Sequence, residues 1–302
     1  MAEKHDCVLE ITENPIVISI GRIESRNLNF IKFACNMNKD RNIDIMGVVN
    51  LTDDSYFAQS RCAGIEQTLA RVGCMIDEGT TIIDIGACST RPGAEILGPE
   101  LEWERLSGVL PEIRKSFPEV LISIDTFWSE VVRKAYGQIG GFIVNDISAG
   151  EDDPRMLPLV GSLGLKYVAM HKRGTPQNMQ SLTDYDDVTG SVLAYFNEFA
   201  QKADRFGIKD WVLDPGFGFA KTIEQNYQLL AHLDHLSVLD RPVLVGVSRK
   251  SMIYKYFGIT PEESLAATQV LHMKALQQGA SILRVHDVAE AARTIALYRI
   301  LD

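Results

Sequence analysis

The sequence contains no C-x-x-C pair. Its five cysteines, Cys7, Cys35, Cys62, Cys74 and Cys88, are odd in number and unpatterned. That argues against a disulfide scaffold or a zinc site and for reduced thiols in a cytosolic protein. No apolar run reaches the ~20 residues that span a bilayer, and the opening MAEKHDCVLEITENP holds no apolar segment of signal-peptide length. Excess positive charge is absent too. Thirty Lys and Arg against forty Asp and Glu leave a net charge of −10, so neither nucleic acid nor an anionic membrane is an expected partner. Low-complexity tracts are missing, and so is any Ser–His or Cys–His signature of a side-chain nucleophile.

What is present is a rhythm. The 302 residues, 46% hydrophobic and 23% charged, suffice for two ordinary domains or one large barrel. From Ile43 onward, short runs rich in Ile and Val alternate with longer stretches at helical period. Strands are expected at Ile43–Val49, Thr81–Ile85, Leu121–Ile124, Gly141–Val144, Tyr167–Met170, Trp211–Leu213, Val243–Val245 and Ile282–Val285. Helices are expected at Gly64–Glu78, Glu100–Ser116, Ser129–Tyr136, Arg155–Leu163, Asp187–Phe206, Ile223–Leu233, Pro261–Gln278 and Val288–Leu301, with Pro111 kinking or splitting the second. Eight alternating pairs over roughly 250 residues predict a (β/α)8 barrel from residue 43 to 302. A doubly wound open sheet is the alternative. Residues 1–42, with strand-prone pieces Pro15–Ile20 and Phe30–Ala34, read as an N-terminal extension ending in the linker NMNKDRN.

A barrel places functional groups at the C-terminal ends of its strands. Those ends carry Asn50, then Thr90 and Arg91 in GACSTRPGAE beyond Asp84, then Asp125, Asn145, His171 and Asp214. The last two strands end at Ser248, Arg249, Lys250 and Ser251, and at Arg284 and His286. One Asp or Asn after a strand usually caps the next helix. Polar groups after all eight converge on one pocket, and an unpaired carboxylate after a fully apolar run is costly. Arg91, Arg249, Lys250, Arg284 and His286 form a cationic set for an anion such as phosphate. Asp125, Asn145 and Asp214 offer mainly acceptors and suit a planar heterocycle with a guanidine-like edge. In VLDPGFGFAKT, Gly216 and Gly218 let the chain pass close to a ring anchored by Asp214. Met170 packs on a ring face or belongs to the core.

GVVNLTDDS, DIGACSTRPGAE, ISIDT, IVNDIS, MHKRGTPQNMQ, LDPGFGFAKT, VGVSRKS and RVHD occur in order from about Ile43 to the C-terminus. As a set they resemble the dihydropteroate synthases of folate biosynthesis, pterin-binding (β/α)8 barrels. The resemblance implies condensation of p-aminobenzoate with hydroxymethyl-dihydropterin diphosphate, releasing diphosphate, with magnesium as cofactor. It implies that Asp125, Asn145, Met170, Asp214, Gly218 and Lys250 bind pterin. Asn50, Arg91, Arg284 and His286 would bind diphosphate, Asn50 through the metal. Thr90, Arg91, Pro92, Lys250 and Ser251 would shape the p-aminobenzoate site, and Asp54 would help order its loop around the metal. Asp125, Asp214, Lys250 and Arg284 are the expected catalytic residues. The sequence departs from the common pattern at Asp53, Cys88 and Ala220.

Two other readings compete. A related barrel binds methyltetrahydrofolate and passes its methyl group to a corrinoid protein; it would share the pterin anchors but not need STRP, SRKS or RVHD. A non-catalytic pterin-binding paralogue is the other. The resemblance also implies a homodimer through the later barrel helices, where Ala266, Leu271, Ala275 and Leu276 make an apolar stripe that core packing explains equally well, and competition of sulfonamides for the p-aminobenzoate site. Loops Leu51–Ala63 and Ala87–Gly98 are long for βα connections and are expected to act as lids.

Overall fold

The computed structural model describes residues 42–51, 61–87, 97–175 and 178–301. Among them are eight strands: β1 Asp44–Asn50, β2 Ile82–Gly86, β3 Leu121–Asp125, β4 Ile143–Asp146, β5 Lys166–Met170, β6 Trp211–Asp214, β7 Leu244–Val245 and β8 Ile282–Val285. All pair in parallel, in the order β6–β5–β4–β3–β2–β1–β8–β7. An isolated bridge from Leu213 to Val243 closes β6 onto the start of β7. The sheet is therefore a barrel, and the open-sheet alternative is excluded. The expected extension lies outside the described residues except for its last residue, Asn42. Asn42–Tyr298 form one compact unit.

The helices are α1 Arg61–Asp77, α2 Pro99–Ser107, α3 Leu110–Ser116, α4 Ser129–Ile139, α5 Met156–Leu163, α6 Val188–Phe206, α7 Ile223–Ala231, α8 Ser251–Phe257, α9 Leu265–Gln277 and α10 Val288–Leu301. The single helix expected at Glu100–Ser116 is two. The break falls at Gly108–Val109, and Pro111 sits in the first turn of α3, where its missing N–H breaks no helical bond. The helix expected from Pro261 opens with a 3-10 turn, Glu262–Ser264, before α9. Helix α8 is not expected from the sequence, because seven residues are too few to establish a helical period. No helix among the described residues is long and apolar enough to cross a membrane.

Two apolar layers position the site. Outward-facing Ile45, Ile83, Ile85, Val144 and Leu213 pack with Val72, Leu106 and Phe196 of the helices. Inward-facing Met46, Ile82, Ile143, Val168, Val212, Leu244 and Ile282 fill the barrel axis. Each such buried side chain contributes about 1.5–3 kcal/mol. Burial on both faces is why the strands read as continuous apolar runs rather than alternating ones. Side chains two residues on from the axial layer point the same way. Those positions are Val48, Asp84, Asn145, Met170, Asp214 and Arg284, so the barrel is dry below and polar at its C-terminal mouth.

Candidate active site

Strand register builds the mouth in rows. Asn50 pairs with Gly86, Gly86 with Asp125, and Asp125 with Asn145. Two residues deeper, Val48 pairs with Asp84 and Asp84 with Ser123. Asp84 is fully buried and anchors the cluster. Its Oδ1 accepts from Ser123 Oγ at 2.6 Å. Its Oδ2 accepts from Asn145 Nδ2 at 3.1 Å and from Arg284 Nε at 2.7 Å. Arg284 Nη2 then donates to Asp125 Oδ2 at 2.7 Å. One guanidinium from β8 thus links carboxylates from β2 and β3.

The electrostatics follow from burial. Desolvation works against the charge on Arg284, but Asp84 and Asp125 outweigh it and hold the guanidinium above its ordinary pKa. Burial raises the pKa of Asp125; Arg284 opposes this, while Asp84, Asp146 and Asp214 reinforce it. Three inward carboxylates beside one guanidinium leave the mouth short of positive charge, and Lys250 supplies more. Its pKa is pushed down to about 8 by burial, with Asp214 opposing.

Asp214 ends β6 and turns the chain. Its Oδ1 accepts from Gly216 N at 2.8 Å, while Oδ2 makes no hydrogen bond among the described residues. Gly216 has φ +69°, and a Cβ there would lie 2.0 Å from the His171 carbonyl oxygen. The glycine is therefore demanded by backbone from the neighbouring strand end. Gly218, at φ +83°, faces the Lys250 side chain, whose Cδ would lie 3.5 Å from an added Cβ. Lys250 Nζ donates to Phe217 O at 2.5 Å and lies 4.9 Å from the Phe219 ring centre. The loop is fixed at its far end by a capping box, Thr222 with Gln225, that starts α7. Beneath the loop, buried Lys221 donates to Gly216 O at 2.9 Å and Phe219 O at 3.1 Å and meets His171 Nδ1 at 3.0 Å. Burial lowers the Lys221 pKa to about 7, and burial with the Lys221 charge lowers that of His171 to about 2.

Met170 is buried, yet it packs with Phe127 and Ile147 in a small cluster apart from the main core, with Trp128 and Phe219 alongside. This gives the acceptor row an apolar wall. His286 approaches Ser248 Oγ through Nδ1 at 3.2 Å and through its backbone N at 3.2 Å. Arg71 of α1 donates to the His286 carbonyl at 3.0 Å. Ser251 opens α8, directly after Lys250.

The structure thus brings together Asp125, Asn145, Asp214, Lys250 and Arg284 and places Asn50, Met170, Gly218, Ser251 and His286 on the same end of the barrel. Thr90, Arg91, Pro92 and Asp54 lie outside the described residues. Arg249 leaves the cationic set: Asp287 clamps its guanidinium at 2.9 and 2.5 Å. The apolar stripe on α9 is mostly core, since Ala275 and Leu276 are fully buried. Sequence reasoning assigns no role to Ser123, Phe127, Ile147, Phe219 or Lys221. It notes Asp84 only as a polar residue inside a strand. It also misses Glu102 of α2, which is buried beside the Thr126 hydroxyl, its other surroundings among the described residues offering its oxygens no partner. Burial raises its pKa to about 8, with Thr126 opposing.

The profile of the pterin binding enzyme family matches residues 46–286. The dihydropteroate synthase of Escherichia coli (strain K12) is 38% identical over 260 residues, covering 85% of this chain and 90% of that one. The dihydropteroate synthase of Synechocystis is 39% identical over 252 residues, covering 82% and 86%. Among solved structures, the Yersinia pestis dihydropteroate synthase in a sulfonamide drug complex aligns with TM-score 0.80 at 34% identity, covering 86% of this chain and 94% of that one. The Xanthomonas albilineans dihydropteroate synthase with 4-aminobenzoic acid aligns with TM-score 0.78 at 36% identity, covering 87% and 93%. With the match running from β1 to just past β8, and with relatives of this identity along most of their length, the chain belongs to the dihydropteroate synthases of the pterin binding enzyme family.

Proposed function

We propose that the barrel mouth condenses p-aminobenzoate with hydroxymethyl-dihydropterin diphosphate, giving dihydropteroate and diphosphate. The observation that carries this is the division of the mouth by charge. Acceptors Asp125, Asn145 and Asp214 stand on β3, β4 and β6, and the cations Lys250 and Arg284 reach in from the β7 and β8 ends. A pterin presents a guanidine-like N–H edge, which the acceptors bind; Met170, Phe127 and Ile147 supply the apolar face beside it.

The chemistry needs no protein nucleophile. The bond from the methylene carbon to the diphosphate oxygen breaks, and its electron pair leaves with the diphosphate. Arg284 and Lys250 meet the growing negative charge with fixed positive charge, which costs no reorganisation at that moment. The methylene left behind is cationic, and the carboxylates of Asp125 and Asp214 favour it. The arylamine nitrogen then attacks the carbon and releases a proton to solvent. Ser251 and Lys250 stand where the β7 loop borders this space, in keeping with a role toward p-aminobenzoate.

Magnesium fits the donors at the end of β1. A Cβ on Gly86 would lie 3.4 Å from Asp125 Cβ and 3.7 Å from both Asn50 Oδ1 and Asp125 Oδ2, so the glycine leaves room beside two oxygens. Among the described residues no three His, Cys, Asp or Glu side chains form a metal cage. Such a sparse set suits magnesium, which keeps waters and binds through few protein oxygens and substrate phosphates. Asn50 would hold the ion, which when bound neutralises diphosphate charge. Homodimer formation draws support from Tyr256, Phe257, Val270 and Leu297, apolar side chains left exposed on α8, α9 and α10. A cytosolic setting accords with the unpatterned cysteines.

The test is direct. The protein is incubated with the pterin diphosphate, p-aminobenzoate and magnesium, and diphosphate release is followed with and without p-aminobenzoate. Release that depends on the arylamine supports the reading. No release from correctly folded protein rejects it.

A further inference from the structure

Asp84 has no accessible surface, so a ligand in the mouth cannot touch it. It lies two residues below the Gly86–Asp125 row, facing the same way. It nonetheless holds two groups that a ligand does touch. Both donors of the pair, Asn145 Nδ2 and Arg284 Nε, converge on Oδ2. Ser123 Oγ fixes the other oxygen and so the rotation of the carboxylate.

This arrangement decides what each partner offers. An Asn amide presents a donor on one side and an acceptor on the other. Asn145 Nδ2 gives one of its two N–H groups to Asp84, which fixes the rotation of the amide and leaves Oδ1, on the other side of the amide, as the acceptor it can offer a ligand. Arg284 has five N–H donors in one plane. With Nε on Asp84 and Nη2 shared between Asp84 and Asp125, the plane is set and Nη1, without a hydrogen bond among the described residues, is left for an anion.

We propose that Asp84 is a positioning residue that sets ligand preference: it makes Asn145 an acceptor toward the pterin edge and aims Arg284 at the diphosphate. The inference rests on the condensation reading above. An alternative is that Asp84 merely neutralises a buried cation. That role would leave Asn145 unaffected and would not be met by an uncharged amide.

The two roles separate in Asp84→Asn. The new amide can donate its NH2 to Ser123 Oγ, which accepts as readily as it donates, while its oxygen still receives Asn145 and Arg284. Geometry survives and charge does not. Asp84→Ala removes both.

The experiment measures binding of a dihydropterin lacking diphosphate, and of the pterin diphosphate with magnesium, to wild type, Asp84→Asn, Asp84→Ala, Arg284→Ala and the Asp84→Ala/Arg284→Ala double variant. Melting temperatures are recorded alongside. Asp84→Ala is expected to weaken the simple pterin about 10-fold and the diphosphate about 100-fold, the range for partners that orient a binding side chain. Asp84→Asn should recover most of both losses. In the Arg284→Ala background, Asp84→Ala should cost the diphosphate no more than it costs the simple pterin, because coupled residues are not additive. If Asp84→Ala does not fold, Ser123→Ala takes its place; freeing one carboxylate oxygen should weaken both ligands a few-fold. Additive losses in the double variant, an Asp84→Asn variant as poor as Asp84→Ala, or unchanged binding in folded Asp84→Ala or Ser123→Ala would each overturn the proposal. Failure of the wild type to bind either pterin would instead overturn the functional reading, and this inference with it.

Discussion

Asp214→Asn is a one-atom change whose outcome the loop geometry dictates. Asp214 Oδ1 accepts from Gly216 N at 2.8 Å, inside a turn that Gly216 can make only because it lacks a Cβ. The Gly216 N–H needs an acceptor, so the amide oxygen of the substituted side chain takes the Oδ1 position. The NH2 group then occupies the Oδ2 position and faces the pterin N–H edge, donor against donor. Losing a charge-assisted hydrogen bond costs about 1.5–3 kcal/mol, and a buried donor left unpaired costs about 1–3 more. The sum, about 2.5–6 kcal/mol, corresponds to a roughly 60- to 20,000-fold weaker Kd. Calorimetric titration with a dihydropterin lacking diphosphate reads this loss without involving the anion site. Melting temperature should hardly change, since the Gly216 bond is kept. A Kd within about three-fold of wild type, with unchanged melting, would refute the assignment of Asp214 as the ring anchor.

Other outcomes are expected. Gly218→Ala should cost about 1–2 kcal/mol for its left-handed backbone alone, whereas Gly216→Ala adds a collision with the His171 carbonyl and should cost about 3–5 kcal/mol in chemical denaturation; equal losses would contradict the clash. Glu102 has a folded pKa of about 8 against an ordinary value of 4.5. Its neutral form is favoured by the fold, so its contribution is full below pH 4.5 and fades as pH rises to 8, by about 3 kcal/mol at pH 7. Glu102→Gln should therefore match wild type near pH 4.5 and melt higher at pH 8, and parallel pH profiles would count against this. A sulfonamide should bind appreciably only when diphosphate, or the pterin substrate with magnesium, is present; tight binding to the bare protein would rule out ordered assembly of the site.

The strands are legible in the sequence because burial on both faces leaves unbroken Ile and Val runs, and the polar residue ending each run marks the barrel mouth. Helix α8 is not legible, since Ser251–Phe257 completes fewer than two turns. Asp84 can be seen in TIIDIG but not understood. Its meaning lies in register, which sets it level with Ser123 and beneath Asn145, and in a partner, Arg284, two hundred residues away. Arg249 reads among the phosphate-binding cations for the same reason: Asp287, which neutralises it, is near only in the fold. Gly216 reads as making room for a ligand, yet the atom that excludes a side chain there is the chain's own His171 carbonyl.

The closure between β6 and β7 has a mechanical consequence. From β8 through β1 to β6 the strands are joined by continuous ladders, whereas β6 meets β7 through the lone Leu213–Val243 bridge. The cylinder therefore has a seam, and the mouth has a stiff side and a compliant side. Asp84, Asp125, Asn145 and Arg284 stand on the stiff side, where spacing is fixed by backbone. Asp214 and Lys250 face each other across the seam, tied near the top by the Lys250 bond to the Phe217 carbonyl. Widening along that line separates the ring anchor from its lysine and leaves the anion-binding guanidinium in place.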